Sequence, residues 1–289
     1  MTWIGRQGLL TNLHKAWRER RADIVMKVVS VKRRRIIEPC AIDLFKYQID
    51  PYIGCEHQCH YCYAQNGAGL DWESEAGICP DMDKILADEL SSIQPQTIYV
   101  GMNTDPYQPL EKEFRQTRQV LQLLKERNFS VCILTKSALV ARDIDLLQEM
   151  KGSSVGISVA FQNDGIRGLF EKNTMPSGER LRALAELKRH GIGTYVLICP
   201  FMPYITDAEI LIEEVRQHGD TIWIYPLEMK SADDENWRKV QPIVGQHFPE
   251  IAEGFRDAAF SPGHAYWKEL HRRLEDVRGR KNINMIICV

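Results

Sequence analysis

Pro51-Tyr52-Ile53-Gly54-Cys55-Glu56-His57-Gln58-Cys59-His60-Tyr61-Cys62-Tyr63-Ala64-Gln65-Asn66 is the most informative run in the chain, and its three cysteines are spaced by four and then three residues. Thiolates are favoured ligands of iron–sulfur clusters, and a loop this short can wrap three of them around one face of a cube. A [4Fe–4S] cube then keeps one iron open to an exogenous ligand. A cluster that only carried electrons would normally fill that corner with another Cys. Two other readings use the same residues. A zinc site would recruit His57 or His60 as its fourth ligand, although zinc loops usually come as two separated Cys/His pairs. A disulfide framework would leave an odd thiol in the triplet.

On the N-terminal side, residues 1–43 read as a basic extension packed on a barrel that begins at residue 44, with Trp3, Trp17, the run Arg18-Glu19-Arg20-Arg21 and a second cluster Lys32-Arg33-Arg34-Arg35. Between the clusters, Ile24 to Val29 reads as a short strand. Such charge runs serve as a solvated face or as a rim that meets phosphates. Leu44 to Ile53 reads as the first strand of the barrel, which sets the cysteine loop at a strand's C-terminal end, where parallel α/β barrels carry their chemistry. After a polar loop (Asn66 to Pro80), helical and strand patterns alternate in a βαβ rhythm. Helices are expected over 81–93, 114–127, 143–150, 177–190 and 207–218. Strands are expected over 97–101, 130–135, 154–160, 194–199 and 221–225. The fold expected is α/β, a partial (β/α)6 TIM-type barrel over residues 44–230 that carries the cluster loop. Residues 231–289 form a C-terminal helical extension with a closing strand.

The bulk composition narrows the class. With 289 residues the chain can bury a sizeable core, and 44% hydrophobic with 26% charged residues is ordinary for a globular protein. A net charge of −2 exerts no global pull on nucleic acid or anionic membrane. Of the eight cysteines, Cys40, Cys79, Cys132, Cys199 and Cys288 are scattered singly. Cys132 and Cys199 fall in apolar strand-like runs, where a free thiol behaves as a small hydrophobe. With no leader-like start and no apolar span, a reducing cytoplasm and no membrane are expected.

Tyr61 just before the last cysteine, and the Cys62-Tyr63-Ala64 after it, make the loop resemble the signature of the radical S-adenosylmethionine (SAM) enzymes. The flanking Pro51-Tyr52-Ile53-Gly54-Cys55 resembles more narrowly the branch named after spore photoproduct lyase. Thr104-Asp105-Pro106-Tyr107-Gln108-Pro109-Leu110-Glu111, Leu134-Thr135-Lys136-Ser137 and Val155-Gly156-Ile157-Ser158-Val159-Ala160 are similar to segments of the same branch. The resemblance implies a [4Fe–4S] cluster on Cys55, Cys59 and Cys62, with SAM on its open iron. Lys136 would meet the SAM carboxylate, Ser158 the ribose and Tyr61 the adenine, with Asn103 as a further contact. It also implies reductive cleavage of SAM to a 5′-deoxyadenosyl radical that takes hydrogen from a substrate the sequence does not name. An electron donor such as flavodoxin or ferredoxin with its reductase would be needed. The branch's DNA-repair lyases are expected to need a cysteine near the end of the second strand, where this chain has Met102. Cys199, Tyr63 and Tyr107 are the candidates to replace it in hydrogen transfer. DNA photoproduct repair, and a non-catalytic Fe–S or zinc protein, stand as the alternative functions.

Overall fold

The computed structural model describes residues 26–289. Trp3, Trp17, the basic run at 18–21 and the start of the strand expected from Ile24 lie outside the described residues. The strands are β1 (Lys27–Ser30), β2 (Ile37–Pro39), β3 (Tyr47–Ile49), β4 (Glu75–Ile78), β5 (Thr97–Val100), β6 (Ser130–Thr135), β7 (Ser154–Ser158), β8 (Gly193–Phe201), β9 (Thr221–Pro226) and β10 (Met285–Ile287). The helices are α1 (Met82–Leu90), α2 (Glu111–Phe114), α3 (Gln116–Glu126), α4 (Ile144–Leu147), α5 (Asp164–Phe170), α6 (Ser177–Arg189), α7 (Ala208–Val215), α8 (Glu235–His247), α9 (Ala252–Phe260) and α10 (Ala265–Lys281).

Eight strands form one sheet in the order β10-β9-β8-β7-β6-β5-β3-β2. All neighbours are parallel except β2, which runs antiparallel to β3 at one edge. The sheet is therefore the partial TIM-type barrel: six parallel strands from β3 to β9, with β10 added in parallel as the closing strand. The two faces are told apart by a period of two, because successive strand residues point to opposite sides. Ile98, Val100, Val131, Ile133, Val155, Ile157, Val196, Ile198, Ile222 and Ile224 are essentially inaccessible and pack in one cluster with helix residues such as Leu121, Leu184, Leu211 and Leu274. The alternate residues Tyr195, Leu197 and Cys199 of β8, and Thr221, Trp223 and Tyr225 of β9, are only half-buried and face the barrel interior. Solvent therefore reaches the interior face of these two strands.

Several elements differ from the sequence reading. The polar loop expected over 66–80 contains β4, which pairs in parallel with β1 as a separate two-stranded sheet beside the cysteine loop. Ile53 bridges Gly77 from the other side. The first barrel strand is only Tyr47–Ile49, and helices α5 and α9 and strand β2 are additional to the expected elements. Among the described residues no helix is long and apolar enough to cross a membrane.

Candidate active site

The cysteine loop comes after β3, over the C-terminal ends of the strands. It is held from three directions. Thr104 Oγ1 donates to Gly54 O at 2.6 Å and Gln108 Nε2 to the same carbonyl at 3.2 Å, while Glu56 N donates to Gln108 Oε1 at 2.9 Å. At the end of α5 and just beyond it, His60 N donates to Phe170 O at 2.8 Å and Asn173 N to His57 O at 3.1 Å, and Cys59 bridges Glu171. On the third side Asn66 and Asn236 of α8 bond reciprocally, at 3.2 and 3.1 Å. Cys59 and Tyr61 pack into an apolar cluster with Phe161, Phe170, Trp237 and Phe255.

All three thiols are free, with Cys55 and Cys59 buried and Cys62 half-buried. Burial pushes the Cys59 thiol up to about 12, against the pull of Lys136. Burial also raises Cys55 and Cys62, and the charges of Asp105, Cys59 and Cys62 add to the shift at Cys55. Three neighbouring thiols whose burial disfavours ionisation, with Cys62 adding to the shift at both Cys55 and Cys59, fit a cationic metal centre, since a coordinating thiol is deprotonated outright. Among the described residues no three His, Cys, Asp or Glu side chains converge as the ligands of a single ion would. The ligands of a cube hold different irons and stand further apart.

Asp105, in the loop after β5, ties the cysteine loop to the next strand. Its Oδ1 accepts from Tyr107 N at 2.8 Å and Thr135 Oγ1 at 2.6 Å, and its Oδ2 from Lys136 N at 2.7 Å. His57 Nδ1 lies 3.2 Å from the same Oδ2, near enough for charge attraction but without an aligned hydrogen bond. Burial raises the Asp105 pKa, but His57, Thr135 and the Lys136 amide outweigh it and hold the carboxyl at about 2. The turn into this loop needs Gly101: φ is +96°, and a Cβ would stand 2.6 Å from Pro106 Cδ. Gly101→Ala is expected to destabilise the protein by about 2–3 kcal/mol, measured as a lowered urea midpoint.

A second network has no counterpart in the sequence reading. Glu171 and Arg180 are both fully buried, and Arg180 Nη2 donates to Glu171 Oε2 at 2.5 Å. Tyr61 Oη donates to Glu171 Oε1 at 2.5 Å, Thr174 Oγ1 to Oε2 at 2.9 Å, and Arg180 Nη1 to Ser158 O at 2.9 Å. The chain of contacts runs from the cysteine loop to the end of β7. Burial raises the Glu171 pKa, but Arg180, Lys136 and Tyr61 overcome it and bring the carboxyl to about 2.

The residues expected to contact SAM lie on this frame. Lys136 Nζ stands over the Tyr61 ring, 5.6 Å from its centroid. Burial lowers the Lys136 pKa, yet Cys59 and Glu171 more than reverse this and raise it. Tyr61, expected beside the adenine, is buried with its hydroxyl on Glu171. Ser158 Oγ donates to Cys199 O at 3.2 Å. Asn103 gives its backbone N–H and its amide to Asp50, both at 2.9 Å, leaving its own Oδ1 for other partners.

Of the hydrogen-transfer candidates, Cys199 is half-buried at the end of β8; burial pushes its thiol up to about 11, with Lys136 lowering it and Cys62 raising it. Tyr63 is 53% exposed at the rim and its hydroxyl donates to Met102 O at 2.7 Å. Tyr107 is buried and its phenol donates to Asp143 at 3.1 Å, in a separate network with Arg142 and Glu111. A cavity of about 730 Å³ lined by Leu44, Phe45, Gln96 and Thr97 lies at the opposite, N-terminal end of β5. Its position separates it from this chemistry.

The model of the Radical SAM superfamily matches residues 49–213. An uncharacterised protein of Methanocaldococcus jannaschii is 29% identical over 79% of this chain and 86% of its own length. One of Mycobacterium tuberculosis is 28% identical over 74% of this chain and 67% of its own. A radical SAM Nα-GlyT isomerase of Pseudomonas phage M6 is 24% identical over 59% of this chain and 37% of its own length. Among solved structures, a spore photoproduct lyase variant superposes with a TM-score of 0.57 at 16% identity, over 77% of this chain and 66% of the lyase. SuiB of Streptococcus suis, bound to SAM, gives 0.54 at 12% identity over 83% of this chain and 49% of SuiB. This chain thus spans under two thirds of either solved protein. The family match covers the cysteine loop and the barrel strands up to β8, and the chain belongs to the radical SAM superfamily, as an enzyme that uses a [4Fe–4S] cluster and SAM.

Proposed function

We propose that Cys55, Cys59 and Cys62 ligate the cluster, that Lys136 meets the SAM carboxylate, and that Ser158 and Asn103 hold polar groups of the same molecule. When bound, cluster and SAM supply a 5′-deoxyadenosyl radical for hydrogen abstraction from a substrate. The observation that carries the reading is the half-buried Lys136 ammonium, placed 5.6 Å from the centroid of the Tyr61 ring inside the cysteine loop, with Cys59 and Glu171 favouring its charge. It is the one cation among the proposed cofactor contacts, and a carboxylate is its natural ligand. Tyr61 acts as the platform beneath it. The glutamate–arginine pair keeps Tyr61 in place, and Asp105 fixes the backbone of Lys136, so the chain's part is to orient the reactants.

Cys199 is our candidate donor of a hydrogen atom to the substrate-derived radical: its S–H bond breaks, a C–H bond forms, and the thiyl radical left behind is returned to the thiol by one electron from the electron donor and a proton. Its pKa near 11 keeps it a thiol at neutral pH, the form that has a hydrogen atom to give. Cys199→Ala is expected to leave 5′-deoxyadenosine formation within about twofold of wild type while lowering product yield. Loss of both would give Cys199 a different role. Repair of a thymine dimer is not favoured, because the thioether of Met102 has no S–H. Reduction would come from a flavodoxin or ferredoxin system.

The assay is anaerobic: reconstituted protein, SAM and dithionite, with chromatography for 5′-deoxyadenosine. Formation that requires all three components supports the reading. Iron- and sulfide-loaded protein that releases none overturns it.

A further inference from the structure

The barrel interior carries an aromatic whose placement no part of the cofactor reading uses. Tyr195 sits on the inner face of β8, level with Gly156 on β7. Its ring reclines across that glycine, where a Cβ would stand 2.0 Å from Cε2 and 2.1 Å from Cζ. The hydroxyl reaches one strand further, donating to Ile133 O at 2.8 Å and accepting from Cys132 Sγ at 3.4 Å. One phenol therefore spans three strands and is tied down at its far end. Ser158 is one inward step above Gly156, and Lys136 is one step above Leu134, the β6 partner of Gly156. Two residues of strand rise roughly 7 Å, so the ring lies that far below both candidate SAM contacts. At the level of Ser158 the wall continues into Leu197 and Trp223, which pair across β8 and β9 and are uncharged.

We propose that Tyr195 is a positioning residue: its ring is the floor of the reaction chamber and sets how far a bound molecule descends into the barrel. The proposal rests on Lys136 and Ser158 being SAM contacts. With the floor in place, SAM and the substrate group stop at the rim, beside Cys199 and the cysteine loop. Without it, a pit one aromatic ring deep opens beneath them, lined by Gly156, Cys132 and Tyr99.

The test compares Tyr195→Phe, Tyr195→Ala, Gly156→Ala and the double variant, as reconstituted holoprotein with iron content matched. Tyr195→Phe keeps the ring and is expected to bind SAM within about twofold of wild type; Tyr195→Ala is expected to weaken binding about tenfold by equilibrium dialysis. p-Cresol, the missing side chain supplied as a free molecule, is expected to restore affinity to Tyr195→Ala and to show saturation-transfer NMR contacts with that variant only. Gly156→Ala is expected to lower Tm in the Tyr195 background and to be close to neutral in Tyr195→Ala, because the three atoms its Cβ would meet first all belong to the removed ring. Wild-type SAM affinity in Tyr195→Ala would overturn the proposal, and so would strictly additive Tm losses in the double variant. Wild-type protein that binds no SAM would count against the cofactor reading instead. In that event the p-cresol and Tm results still decide whether Tyr195 is a floor.

Discussion

Cys59→Ala protein, reconstituted anaerobically with iron and sulfide, is expected to cleave SAM at the assay background, at least about a thousandfold below wild type. Cys55→Ala and Cys62→Ala are expected to behave alike, since two thiolates cannot hold a cube that already has one corner given to SAM. The exposures of the thiols, buried for Cys55 and Cys59 and half-buried for Cys62, add a gradation. Removing Cys62 is expected to leave more residual iron than removing Cys59, which is the more deeply buried of the two and bridges Glu171. Cys40→Ala serves as the control and is expected to retain cluster and activity. Iron per chain and 5′-deoxyadenosine yield, measured on the same preparations, check the series. Full turnover in any of the three variants would remove that cysteine from the ligand set.

Glu171→Gln is expected to produce the largest loss of stability of any single change in the site. It leaves the fully buried Arg180 guanidinium without its carboxylate, and breaking such a pair costs about 3–5 kcal/mol. The same substitution releases the Tyr61 hydroxyl and the Thr174 hydroxyl from an ionised acceptor. Chemical denaturation of the metal-free protein reads the effect directly, and a change under about 1 kcal/mol would show that the pair is not closed in solution. The pH dependence has a definite sign. Glu171 has a folded pKa of about 2 against an ordinary 4.5, and Asp105 about 2 against 3.8. Their contribution is complete above the unfolded values and is lost as pH falls through the folded ones. Wild-type stability is therefore expected to decline between about pH 4.5 and 2, and Glu171→Gln to decline less steeply over that window.

What the sequence disclosed and what it withheld divide along physical lines. The cysteine loop was legible because its chemistry is local: ligand type and spacing sit within a dozen residues. The barrel strands from Thr97 to Pro226 were legible because buried parallel strands are short apolar runs rich in β-branched residues, such as Ile98-Tyr99-Val100 and Val131-Cys132-Ile133. Strand β4 was hidden because its partner β1 is far away in the chain, and Glu75 and Gly77 dilute its apolar pattern. Helix α5 was hidden by Gly165 and Gly168, which lower helix propensity and break the apolar stripe. The buried ion pair was hidden for a different reason. Glu171 and Arg180 look like surface residues by type, and only the folded chain shows each neutralising the other. The same holds for Tyr195, whose role depends on the absence of a side chain at Gly156 on the next strand.

The central claim is that three thiolates hold a cluster with one position free for SAM. Electron paramagnetic resonance of the dithionite-reduced protein, recorded with and without SAM, tests it most directly. A reduced-cluster signal whose g values shift on addition of SAM, and which is lost in Cys59→Ala, is the expected result. A signal indifferent to SAM, or protein purified anaerobically with zinc in the cysteine loop, would contradict it.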